Sequence, residues 1–254
     1  MNALTPRVAR KKSQLDQLRP HVAESLAALA GWYDVELTYT SNAIEGNTLT
    51  RLETAIVLDK GLTIGGKPLK DHLEALGHKD ALHFIRSIAD QPQPVHEVDV
   101  RALHQLVLQR ADPREAGKYS EHQRVIKGSA AVLPSPWEIS ALMTEFGRWL
   151  SAVTPGPDAA FEAHLRLVLI HPFSDGNGRT ARLLMNLLLL KDAYPPVIIG
   201  PEDRTEHIES LEAVQARKQR RPYDDFMYGR LEASLDKHIE FLGRTPAPFT
   251  PSAT

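Results

Sequence analysis

Cysteine is absent from the 254 residues. That excludes disulfides, thiolate metal sites and a cysteine nucleophile, and it agrees with a reducing compartment. An excess of charge of either sign is absent too. The formal net charge is −2 and the pI is near 6.6, which speaks against binding nucleic acid through a basic surface. Long hydrophobic runs are missing. The longest apolar stretch, Leu26 to Tyr33, is far too short to span a bilayer. Met1 to Leu18 is basic and polar and lacks the apolar core of a signal peptide. These absences lead to the expectation of a cytoplasmic protein with no membrane contact and no direct nucleic-acid binding. What is present is a 42% hydrophobic composition, enough for a core, in a length that suits one domain with extensions.

Helical periodicity dominates the chain. Val8 to Gly31 reads as a helical arm that Pro20 breaks or bends. Trp32 to Gly46 continues as helix and stops at Glu45-Gly46-Asn47. Thr50 with Glu53 forms a capping box for a helix through Asp59, and Gly61 to Pro68 is a loop. Pro68 to Ile88 carries Leu69, Leu73, Leu76, Leu82, Ile85 and Ile88 at helical spacing; Val98 to Gln109 follows after a Pro-rich break. Between Gly117 and Pro136 the pattern changes. Val125-Ile126 and Ala130 to Leu133 flank Lys127-Gly128-Ser129, which predicts one short β-hairpin. Helix returns at Trp137 to Val153, and Asp158 is the expected N-cap of the next helix, through Ile170. Leu183 to Leu190, Pro201 to Ala216 and Pro222 to Leu242 complete the helices, around a brief extended piece at Val197 to Ile199. The expected fold is mainly α, a single helical domain with one hairpin. The expected division is an arm over 1–49, a core over 50–242 and a disordered Pro-rich tail over 243–254.

The chemistry concentrates in His171-Pro-Phe-Ser-Asp-Gly-Asn-Gly-Arg-Thr-Ala-Arg182. Apolar helices flank this stretch, so it predicts a tight loop opening a buried helix. Gly176 and Gly178 permit positive φ and close approach of a ligand to the backbone. The free N–H groups of a helix start attract anions, phosphate above all. Arg179 and Arg182 lie one turn apart and can reach one ligand. Asp175 is a hard oxygen donor suited to Mg²⁺ held on phosphates. His171, with an ordinary pKa of about 6.5, can take a proton from a hydroxyl.

This stretch resembles the Fic signature, H-x-F-x-D/E-G-N-G-R-x-x-R, at every fixed position. The resemblance implies the Fic fold and a transfer of AMP from ATP to a Ser, Thr or Tyr hydroxyl of a target protein, with Mg²⁺ or Mn²⁺. His171 would deprotonate the hydroxyl, and Asp175 would hold the metal. Gly176, Asn177 and Gly178 would bind phosphates through backbone amides and the Asn side chain. Arg179 and Arg182 would stabilise charge on the outer phosphates. The phosphotransferase Doc branch has Lys at the place of Gly178, so glycine there implies transfer of the nucleotide. Ser41-Asn-Ala-Ile-Glu-Gly46 resembles the family's inhibitory motif, Ser/Thr-x-x-x-Glu-Gly/Asn. It implies that Ser41 and Glu45 share a helical face and that Glu45 pairs with Arg182 and blocks productive ATP binding. The hairpin, through Val125, Ile126 and Lys127, is similar to the family flap that docks the target by strand addition. Close relatives carry a Tyr and an Asn at the base pocket where this chain has Ile208 and Gln215, which leaves the choice of nucleotide open. Homodimers occur in the family.

Other readings stay open beside it. They are removal of AMP or transfer of another nucleotide by the same site, a metal-dependent phosphohydrolase, and a non-catalytic regulator. His72, His78, Asp80 and His83 are metal-ligand types, but their spacing gathers no four on one face, so a solvated helix surface is expected there.

Overall fold

The computed structural model describes residues 4–18, 23–124 and 133–243, with side chains from 28 onward in the second of these stretches. Ten α-helices lie among the described residues: α1 (Thr5–Leu18), α2 (Ala23–Ile44), α3 (Arg51–Lys60), α4 (Leu69–Ala89), α5 (Glu97–Leu108), α6 (Pro136–Ala152), α7 (Pro157–Ile170), α8 (Asn177–Lys191), α9 (Arg204–Arg217) and α10 (Arg221–Gly243). No strand occurs among them. Residues 125–132 of the predicted hairpin, Val125, Ile126 and Lys127 among them, lie outside the described residues, as does 244–254 of the expected tail.

Helix α8 is the axis of the fold. Every residue from Arg179 to Leu189 is buried, the polar Arg179, Thr180, Arg182 and Asn186 along with the apolar residues of Leu183 to Leu189. Helix α7 packs most extensively against it, and α4, α5 and α2 close the other sides. The core runs from Tyr33 and Leu37 on α2 through Leu103 and Val107 on α5 to Leu184, Leu187 and Leu188 on α8. The N-terminal arm therefore shares the core of the rest. Helix α1 lies on α10, where Val8 and Leu15 are buried and Lys11 pairs with Glu232 and Asp236.

Local rules placed most helix ends. Thr50 caps α3 with both bonds of the capping box, and Gly61 ends that helix in the left-handed region, φ 64°. Helix α7 departs from expectation: Gly156 occupies the N-cap, and Asp158, inside the first turn, accepts from the Tyr228 hydroxyl at 2.6 Å. Pro157 fixes this earlier start, because proline suits the first helical position. The extended piece after α8 is held by one side chain. Asn186 accepts from Val197 N–H at 2.8 Å and donates to its carbonyl at 3.1 Å, the pairing a strand neighbour would give.

Helix α4 corrects a second expectation. Its first turns bury Asp71, His72, Glu74 and His78, while Leu69 stays 66% exposed. His72 accepts from Ile64 N–H at 2.8 Å, and His78 bonds the Thr38 hydroxyl at 3.1 Å. Burial drives the His78 pKa down to about 3, with Arg182 and Arg179 adding to the shift, so it is a neutral core histidine. Only Asp80 and His83 of that group sit toward the surface, and Asp80 pairs with Arg110 at 2.7 Å.

Candidate functional site

The stretch 171–176 folds as the predicted loop. His171 ends α7 with φ 51°, a left-handed conformation that turns the chain sharply out of the helix. Phe173 is fully buried, stacked on His104 of α5 with ring centroids 3.7 Å apart. Gly176, φ 74°, is the N-cap of α8, and the first main-chain bond of that helix runs from Thr180 N–H to the Gly176 carbonyl at 2.9 Å. The amides of residues 177–179 precede that bond, so the helix leaves them over as donors at the positive end of its dipole.

The Asn177 and Arg179 side chains both make bonds inside the protein. The Asn177 oxygen accepts from Phe173 N–H at 2.9 Å and its amide donates to the Phe173 carbonyl at 2.8 Å. These bonds shape the loop. Arg179 is 1% exposed and pairs with Glu74 at 3.1 Å and with Asp175 at 3.3 Å. Glu74 also accepts from Asn47 at 3.1 Å, so this carboxylate ties the turn after α2 to the start of α8. Nothing in the sequence marked Glu74. Glu74→Ala is expected to destabilise the fold by about 3 kcal/mol, because it strands a buried guanidinium. Urea unfolding reads this directly; Glu74→Gln, which still accepts hydrogen bonds, should lose less, and an unchanged midpoint for the alanine variant would refute it.

Ser41, Glu45, Gly178 and Arg182 lie together where the end of α2 meets the start of α8. Arg182 donates through Nε to the Ser41 hydroxyl at 3.0 Å, and through Nη2 to the Ser41 carbonyl at 2.9 Å and to Glu45 at 2.7 Å. It thereby caps the last turn of α2, whose Ile44 carbonyl accepts from Arg204 at 3.3 Å. A Cβ at Gly178 would collide with the Glu45 carboxylate. The space that a glycine leaves over the start of α8 is thus taken by Glu45.

Asp175 is exposed, with 52% of its side chain open. Partial burial works to raise its pKa, but Arg179, the Gly176 N–H at 2.6 Å and Lys70 hold it below the usual carboxylate range. Burial lowers the His171 pKa, partly opposed by the Val168 carbonyl and Glu45. Its Nδ1 is buried, near that carbonyl but without a well-formed hydrogen bond. His171 is accordingly neutral at neutral pH and fit to accept a proton.

His171, Glu45 and Arg182, but not Asp175, border a cavity of about 450 Å³. Its loop end is lined by Glu45, His171, Asn177, Gly178 and Arg182, and its far end by Ile208, Leu211, Glu212 and Gln215 of α9. His164 and His207 also line it. Both are buried and held neutral, His207 with a pKa of about 3, chiefly by burial. The basic cluster Arg217 to Arg221 stands apart, its Arg220 paired with Glu162 and Asp224.

A buried helix opened by a glycine-framed loop, with a base, a carboxylate and a guanidinium around a cavity of nucleotide size, defines a class of helical proteins with a phosphate-accepting site. The sequence profile of the Fic/DOC family matches residues 94–189. A Fic domain containing signaling protein from Bacteroides thetaiotaomicron is 30% identical and superposes with a TM-score of 0.84 over 93% of this chain and 97% of its own. Fic-1 of C. elegans, residues 134–508, is 31% identical, with a TM-score of 0.81 over 92% of this chain and 71% of that one. The chain belongs to the Fic/DOC family. Among curated relatives, Protein adenylyltransferase Fic of Drosophila persimilis is 38% identical and that of Nematostella vectensis 36%, each over 206 residues and 79% of this chain. The chain spans only 40% and 48% of the length of these two relatives.

Proposed function

We infer that this chain is a self-inhibited protein adenylyltransferase, which moves AMP from ATP to a Ser, Thr or Tyr hydroxyl of a target protein. The observation that carries the reading is the Glu45 carboxylate lying over Gly178 and bonded to Arg182, at the point where the spare amides of α8 would receive an anion. The names of the curated relatives support the activity.

In this reading ATP lies in the cavity with its phosphates on the 176–178 backbone and its base toward Ile208 and Gln215. His171 takes the proton of the acceptor hydroxyl, which then attacks the α-phosphate. Arg182, once free of Glu45, neutralises the outer phosphates, and Arg179 serves by fixing Asp175. Asp175 suits Mg²⁺ or Mn²⁺, being ionised and open to solvent, and a single carboxylate plus phosphate oxygens is a common way to hold such an ion. When bound, the metal supplies charge neutralisation along the phosphates. Residues 50–242 act as the catalytic core, 1–49 as the regulatory arm, and the segment through Val125, Ile126 and Lys127 docks the target. Little covalent participation by the protein is required, since positioning and electrostatics carry such displacements.

The test is to incubate Glu45→Gly protein with each labelled nucleoside triphosphate in a cell lysate and map the label by mass spectrometry. AMP from ATP on a hydroxyl is the expected result; label only from the γ-phosphate, or none from any nucleotide, would overturn the reading. Asp175→Ala should also remove the gain in ATP affinity that Mg²⁺ brings, as calorimetry would record. A gain that persists would move the metal elsewhere.

A further inference from the structure

His104 belongs to no motif, yet it touches the loop and the segment leading to 125–127 at once. Its ring lies flat on Phe173, with an interplanar angle of 9°. Its Nδ1 accepts from the Gly117 N–H at 2.9 Å, and its Nε2 lies 3.0 Å from the Asp175 carbonyl. An amide N–H can only donate and a carbonyl can only accept, so the ring carries its proton on Nε2 alone and makes both bonds as a neutral tautomer. The ring lies beside the loop: a Cβ at Gly176 would stand 3.4 Å from the imidazole, in van der Waals contact.

The stretch that begins at Gly117 is fastened to the loop twice more. Ser120 N–H donates to the Pro172 carbonyl at 2.8 Å, and the Tyr119 ring packs on Phe173 with centroids 5.6 Å apart. Gly117 needs its φ of 72° to reach His104, and its own carbonyl accepts from Arg101 of α5 at 3.0 Å. One imidazole therefore joins two backbones that are 58 residues apart in sequence, Gly117 and Asp175.

We propose that His104 is a positioning residue that makes the root of the target-docking segment and the metal-side end of the loop a single unit. Its donor half sets the Asp175 main chain and hence the direction of that carboxylate. Its acceptor half sets where the docking segment starts. It touches no substrate. The proposal rests on the nucleotide-transfer reading for what the two halves serve, and on the hydrogen bonds alone for the coupling.

Two near-isosteric variants separate the halves. His104→Asn places an oxygen near the position of Nδ1 and ends short of Nε2, while His104→Gln reaches Nε2 with a donor and leaves Nδ1 unfilled. In the full chain carrying Glu45→Gly, hydrogen exchange across 117–120 and calorimetric binding of ATP with and without Mg²⁺ report the two sides. His104→Gln should speed exchange at 117–120 about tenfold and leave the Mg²⁺-linked gain in ATP affinity within about twofold, the effect of one lost hydrogen bond. His104→Asn should keep that protection and lose about tenfold of the Mg²⁺-linked gain. Each variant predicts a change on one side only, so either decides alone if the other does not fold. Equal changes on both sides, or none, would overturn the proposal and leave His104 as an ordinary core residue. Glu45→Gly protein that binds no Mg²⁺–ATP would defeat the nucleotide reading instead, and the exchange measurement would still decide the coupling.

Discussion

Substituting glycine for Glu45 is expected to raise labelling from ATP by about 10- to 100-fold over the unsubstituted chain, the worth of one charge-assisted hydrogen bond of about 1.5–3 kcal/mol. Glu45 and an incoming phosphate would compete for the same cation and the same space. Arg182 is buried, and its Nη2 is split between the Ser41 carbonyl and Glu45. Removing the carboxylate opens the room beside Gly178 and leaves Arg182 anchored by Ser41, so the guanidinium stays where a phosphate needs it. The fold should lose little, because Glu45 is itself 38% exposed and follows the end of α2. Labelling with α-labelled ATP, set beside the urea midpoints of both proteins, checks both halves. Equal labelling would mean that the Glu45–Arg182 pair is structural and restrains nothing.

His171→Ala should lower transfer by about 10²- to 10⁴-fold, the usual contribution of a general base, with ATP affinity within about twofold. The separation follows from the geometry. The spare amides of α8 and Arg182 form the phosphate side of the cavity, whereas His171 sits at the end of α7, across the loop. Neither main-chain cradle nor guanidinium depends on its imidazole. The pH profile has a definite sign. Burial lowers the His171 pKa, so the proton-accepting neutral form persists as pH falls through about 6.5, and the acid limb of the rate should lie below that value. In a Glu45→Gly background an acid limb at or above pH of about 6.5 would show that another group limits the reaction, and persistent transfer by the alanine variant would remove His171 as the base.

The helices were legible because their signals are local. Thr50 and Glu53 stand three residues apart, and Gly61 closes the same helix, so a short window contains everything the capping needs. The α7–loop–α8 core was equally readable, since glycines and a long apolar run suffice to predict a tight turn into a buried helix. Helix α4 was misread for a related reason. Its leucines repeat at helical spacing, but its first turns face the turn after α2, where Asp71 accepts from the Thr48 N–H at 2.7 Å and Glu74 meets Asn47 and Arg179. Periodicity reports that a helix has a face; it does not report what lies opposite.

Residue identity alone determined that His171, Asp175, Gly178 and Arg182 would share one loop and one helix start, because they are neighbours in sequence. The family's motif added that Glu45 would meet Arg182, a contact across 137 residues that local chemistry could not have indicated. Only the tertiary structure decided the rest. Asn177 is bonded to Phe173, Arg179 is bonded to Glu74, and His104 joins Gly117 to Asp175. The reason is the same throughout: most buried polar groups find a partner, and which partner each finds depends on how distant helices pack.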